Sequence, residues 1–165
     1  MGHNVKKHNE VSRKHNDSSL TNNKEYVCGI EHISSVGPDE AEHLAIVVRN
    51  NKRYTVEEGK TEFITESKLP LQIGFGRLPS EGKIRAHKHN PVSRTVYTTT
   101  EVIIITKGIL KVEIYDSLSK FIRKVTLTPG DLIMLMKGGH SFECIDECEY
   151  TEIKQGPHVD DKQFI

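Results

Sequence analysis

The chain has 165 residues, which suits one domain with a substantial core and leaves little room for a second. Acidic and basic residues balance at 23 each and Trp is absent, so neither a nucleic-acid groove, a basic membrane patch nor a base-stacking platform is expected. No apolar run reaches spanning length, and the first residues lack both a secretion signal and the Ser or Thr of a myristoylation signal, so a cytoplasmic protein is expected.

Residues 1–25 are polar and rich in Asn, Lys, His and Ser. They cannot bury enough surface to offset the entropy of ordering, so a disordered arm is expected, followed by one domain over 26–165. Val36-Gly-Pro-Asp39 reads as a turn, with a short helical turn possible over Pro38 to His43. Leu44 to Val48 is a continuous apolar run, hence a buried strand. Asn50-Asn-Lys52 reads as a tight turn with Arg53 to Val56 as a returning strand. Thr61 to Thr65 and Leu71 to Gly76 follow as short strands, the latter with glycines that permit close backbone approach.

Lys83 to His89 alternates. Lys83, Arg85, His87 and His89 share one face, and Ile84, Ala86 and Lys88 share the other. Asn90 to Thr100 reads as a loop. Glu101 to Thr106 and Ile109 to Tyr115, joined at Lys107-Gly108, read as a hairpin whose turn needs positive φ. Phe121 to Leu127, Leu132 to Met136, His140 to Ile145 and Cys148 to Lys154 are further strands, separated by turns at Asp116, Thr128-Pro-Gly-Asp131, Lys137-Gly-Gly139 and Asp146-Glu147. Met134 and Met136 are assigned to the core. Many short strands with Gly and Pro turns predict an all-β sandwich or barrel. Cys28, Cys144 and Cys148 are expected as reduced, half-buried thiols, because the last pair lacks the spacing of a zinc or redox knuckle.

Imidazole nitrogens and carboxylate oxygens together suit divalent Zn, Fe, Mn or Ni. His87 and His89, with Glu101 and His140, can form a three-His, one-carboxylate metal site if the elements carrying them face one another. Hydrogen bonding of the same histidines inside the fold is the alternative. Arg85 shares the His face, and Arg94 sits in the following loop. Both are candidates for an anionic ligand, as are Lys154 and the Tyr115 hydroxyl.

Gly82, His87-Lys-His89, Glu101 with six residues between it and Gly108, then Pro129-Gly-Asp131 and Gly138-Gly-His140, resemble the two motifs of the cupin superfamily. Leu71-Gln-Ile-Gly74, His89-Asn-Pro-Val-Ser-Arg94, Glu152-Ile-Lys-Gln-Gly-Pro157 and Asp161-Lys162 are similar to a group of small single-domain (mono-cupin) members. The likeness covers about residues 61–165, with the motif core over 61–157. Eleven residues separate His89 from Glu101, a longer spacer than many cupins have. The resemblance implies a double-stranded β-helix (jelly-roll barrel), a metal near one mouth, and a homodimer. Three functions remain open. One is a metal-dependent enzyme, such as a dioxygenase, acting on a small anionic carboxylate or sugar derivative. Another is a non-catalytic ligand-binding or sensor module. The third is a metal-free sugar isomerase or epimerase with His as base.

Overall fold

A computed structural model describes residues 29–36, 41–50 and 56–165. Among them every regular element is a β-strand, and no helix is long and apolar enough to cross a membrane. The expected arm over 1–25 and most of the Asn50–Val56 turn and strand lie outside the described residues. So do residues 37–40, while Ala41 to His43, expected in a helical turn, open a strand instead.

The strands are β1 (Ile30–Val36), β2 (Ala41–Val48), β3 (Thr61–Phe63), β4 (Gly74–Gly76), β5 (Glu101–Lys107), β6 (Leu110–Tyr115), β7 (Phe121–Leu127), β8 (Leu132–Leu135), β9 (Gly139–Cys144) and β10 (Glu149–Lys154). They form a five-stranded sheet in the order β1-β2-β8-β5-β10, a three-stranded sheet in the order β7-β6-β9, and the small β3-β4 pair. All the pairings are antiparallel. β1 was not foreseen, because His32, Ser34 and Ser35 interrupt its apolar pattern.

The two larger sheets face each other across one core. Ala45, Val47, Ile103, Ile105, Ile133 and Leu135 from the larger sheet meet Leu110, Val112, Ile114, Val125 and Leu127 from the smaller. Leu110 and Val112 are wholly buried, each contributing about 1.5–3 kcal/mol by leaving water. The other face of the larger sheet is covered as well. Ile46, Val48, Val102, Met134 and Met136 pack there against Ile64, Leu69, Leu71, Ile73 and Phe75. Burial on both faces explains the uninterrupted apolar runs of β2, β5 and β8. Both methionines are core, as expected.

Two expectations are corrected. β5 and β6 are not a hairpin: β5 pairs with β8 and β10, whereas β6 pairs with β7 and β9. Gly108, at φ 76°, carries the chain from one sheet to the other and packs against the Glu147 carbonyl. A left-handed glycine serves such a crossing as well as a tight turn. Lys83 to His89 is not a strand: residues 77–100 contain no strand, and every residue from 83 to 98 is exposed. Its alternation puts only Ile84 and Ala86 on the apolar face, too little to hold it on a sheet.

The two open sides of the sandwich are treated differently. On one, Glu31 of β1 accepts from Arg123 of β7 at 2.7 Å and from Arg49 at 3.2 Å, joining the sheets by charge. On the other, edge strands β9 and β10 flank a cleft. A further clasp ties β2 to the turns near it. Glu42 accepts from Lys137 Nζ at 2.8 Å and from the Ser117 backbone N–H at 3.1 Å. The Lys137 ammonium first, and Ser117 next, hold its carboxyl at about 2, against an ordinary 4.5. A depressed carboxylate stabilises the fold fully above its ordinary value, and that stabilisation is lost as pH falls from 4.5 toward 2. Glu42→Gln should therefore be less stable than wild type at neutral pH. The difference should shrink steadily across that acid window when denaturant midpoints are compared, and a pH-independent gap would contradict it.

Candidate functional site

The cleft between β9 and β10 is built by alternation. His140 and Phe142 of β9 lie opposite Ile114 and Val112 of β6, so their side chains point between the sheets. Tyr150, Glu152 and Lys154 of β10 lie opposite Ile105, Ile103 and Glu101 of β5 and point the same way. Both are edge strands of their sheets, so no strand bridges them. The gap forms a cavity of about 930 Å³, lined among others by Glu101, His140, Phe142, Tyr150, Glu152 and Lys162. The Phe142 and Tyr150 rings face each other at 6.3 Å, and Phe142 also lies against His140 at 5.1 Å.

Glu101 and His140 meet at the centre. His140 Nε2 lies 3.2 Å from Glu101 Oε2, and Lys154 Nζ lies 3.7 Å from Glu101 Oε1. The side chains of Glu101 and His140 are 13% and 31% exposed. Burial pushes the imidazole below its ordinary value; Glu101 pulls it back up, and the Lys162 charge pushes it down again. A half-buried imidazole kept neutral beside a carboxylate can accept or relay a proton, or act as a metal ligand.

His87 and His89 stand apart from this pair. They occupy the exposed segment 83–98 and do not line the cleft. Their rings nevertheless meet edge to face with centroids 5.2 Å apart, and His87 Nδ1 bonds the Arg85 carbonyl at 2.9 Å. Among the described residues no group of three or more His, Cys, Asp or Glu side chains is placed to hold a metal ion. The donor chemistry still suits one. Two donors at right angles about 2.1 Å from one ion stand about 3 Å apart, close to the Glu101–His140 spacing. Among the described residues, no hydrogen bond or ion pair ties residues 83–97 to the sandwich and holds the histidine pair away.

Of the anion-binding candidates, Lys154 is beside Glu101, whereas Arg85 and Arg94 lie on the exposed segment. Tyr115 is not a cleft residue. It shares the outer face of the smaller sheet with Glu113, to which its hydroxyl donates at 2.7 Å. That bond, first, pushes the phenol above its usual value. Tyr115 follows the buried Ile114 and so takes the face opposite the core. Cys144 is exposed and Cys148 half-buried, both as free thiols, and burial first pushes the Cys148 thiol up.

Phe142, Tyr150, Glu152 and Lys162 are cleft residues that were not foreseen. Glu152 shares its face with Lys154 by alternation, a signal present in the sequence. Lys162 lies beyond the last strand, where no periodicity marks it. No protein-family model, curated protein or solved structure matches the chain, so the geometry of this cleft carries the functional argument.

Proposed function

We propose that the protein is a cupin-type jelly roll that binds a small molecule at a divalent metal in the β9–β10 cleft. The observation that carries this reading is the convergence of Glu101 and His140 to 3.2 Å from β5 and β9, which belong to different sheets. Both residues stand in the order of the cupin motifs, although eleven residues separate His89 from Glu101. Three of the motif glycines agree with the reading, since Gly108, Gly130 and Gly138 have positive φ. In this reading Glu101 and His140 provide two ligands. The exposed segment carrying His87 and His89 swings in to supply the other two, since it has few bonds to lose. Iron, manganese, nickel or zinc bound there would polarise a carboxylate or enol oxygen, or hold substrate beside dioxygen. Lys154, with its Nζ 3.7 Å from Oε1, orients the Glu101 carboxylate. A homodimer would cover the unpaired outer edges of β9 and β10.

Untagged protein should hold near-stoichiometric metal by elemental analysis. His140→Ala and His87→Ala should each lose more than the about 10- to 100-fold in affinity that removal of a supporting outer group costs. Metal content unchanged in His87→Ala would refute recruitment of the segment. A second reading is favoured by the Glu101–His140 contact itself. The pair is a carboxylate-oriented imidazole, competent as a metal-free base in isomerisation or epimerisation. Metal-free protein that exchanges a substrate C–H proton with solvent, and stops doing so in His140→Gln, would select it. Binding without turnover would select the sensor module.

A further inference from the structure

Residues 157–165 belong to no strand, yet they supply much of the rim of the cleft. Two contacts place them. Thr99 Oγ1 donates to Asp161 Oδ2 at 2.5 Å, and the Ile165 side chain rests on Gly139. That hydrogen bond, first, holds the Asp161 carboxyl below its ordinary range. Lys162, beside this anchor, lines the cleft.

The other lysines nearby already have carboxylates. Lys137 is bound to Glu42 at 2.8 Å, and Lys154 faces Glu101 at 3.7 Å. Among the described residues the Lys162 ammonium has no hydrogen bond or ion pair. It lines the same cleft as His140. An unpaired ammonium in a half-enclosed cleft attracts an anion. Beside it, Phe142 and Tyr150 present ring surface, 37% and 44% exposed, within the same cleft. The charged and apolar parts are therefore adjacent, and the ligand should carry both.

We propose that Lys162 and segment 157–165 complete a binding site for a small organic carboxylate with an apolar or aromatic body. The carboxylate lies between Lys162 and His140, and the body lies against Phe142 and Tyr150. Lys162 thereby sets specificity for the anion, and the Thr99–Asp161 bond positions it. This rests on the cleft being a small-molecule site, and it names the ligand class of that site.

Benzoate is a suitable probe for the full chain, with inorganic phosphate as the comparison anion. Calorimetry should show benzoate binding, with His140 and Phe142 resonances shifted in NMR spectra. Lys162→Gln should weaken benzoate by about tenfold or more, as loss of a charge-assisted hydrogen bond implies, and Thr99→Val should weaken it less. Lys162→Gln should leave metal content unchanged. Benzoate affinity unaltered in Lys162→Gln, no benzoate binding by wild type, or phosphate binding as tightly as benzoate would each overturn the proposal. Wild type that holds metal but ignores benzoate refutes this inference alone. Wild type that lacks metal but binds benzoate through Lys162 refutes the metal reading alone.

Discussion

Asp131→Ala should destabilise the protein by about 3 kcal/mol or more, a large share of the stability of an ordinary domain. Asp131 is only 4% exposed, and both of its oxygens are engaged. Oδ1 accepts from the Asn50 backbone N–H at 2.9 Å. Oδ2 accepts from the Thr128 N–H at 3.0 Å, from the Thr128 hydroxyl at 3.1 Å and from Arg49 Nη1 at 3.2 Å. Arg49 also reaches the Thr126 carbonyl at 2.6 Å and Glu31, which in turn holds Arg123. One carboxylate thus joins the end of β2, the β7–β8 turn and the charged closure of the sandwich. Truncation strands two backbone donors, each at about 1–3 kcal/mol when left unpaired, and leaves Arg49 with less compensation. Asp131→Asn keeps one acceptor but turns an N–H₂ toward donors, so it should recover only part of the loss. Lys60→Ala provides the contrast: its ion pair with Glu57 joins side chains that are 58% and 69% exposed, and losing it should cost less than about 1 kcal/mol. Urea denaturation of the three variants checks the ranking. An Asp131→Ala cost no larger than that of Lys60→Ala would show that the network is not cooperative.

The Pro129-Gly-Asp131 turn was legible in the sequence, and so were the strands around it, but not their partners. Periodicity reports which residues are buried, and β5 and β6 both carry that signal. Which strand lies beside which is decided by packing across the core, where β-branched residues at Ile103 and Ile114 fit either neighbour. The same limit hid β1. Its buried residues, Ile30, Ile33 and Ser35, do not alternate strictly, because a register shift at Ile33/Ser34 turns the strand.

The site was legible in halves. Glu101 and His140 sit on hydrogen-bonded strands, β5 against β8 and β10 and β9 against β6, and the motifs name both. His87 and His89 had the alternation of a strand without the apolar surface that would seat one. Lys83 to Arg94 carries Lys83, Arg85, Lys88 and Arg94 and no acidic residue, so the segment remains solvated when nothing binds it. Lys162 had no periodic signal, since it reaches the cleft through the course of an irregular segment. A ligand site assembled partly from such segments is written in long-range contacts, and short-range patterns recover only the part that rests on sheets.

Gly138→Ala should be costly for fold and site together. Gly138 has φ 73°, a conformation that costs an L-residue about 1–2 kcal/mol. A Cβ there would run into the Tyr115 carbonyl oxygen and lie 3.2 Å from both the Asp116 carbonyl carbon and Leu44 Cδ2. None of these can move cheaply. Tyr115 is held in the ladder opposite Gly139, and Leu44 is fully buried. Overpacking of this kind adds about 1–3 kcal/mol, so a total of about 3 kcal/mol is expected. Gly59→Ala isolates the first contribution, because Gly59 has φ 84° with nothing within 4 Å of an added Cβ. It should cost about 1–2 kcal/mol at most and leave the cleft untouched. The two variants also differ in what they reach. Gly138 leads into β9 two residues before His140, so relief of the clash must shift the strand that aims the imidazole at Glu101. Gly138→Ala should therefore move the His140 ring resonances and weaken ligand binding even at temperatures where it remains folded, while Gly59→Ala should do neither. Equal destabilisation by the two, with His140 unmoved in both, would mean that the close approach of Gly138 to Tyr115 does not set the direction of β9.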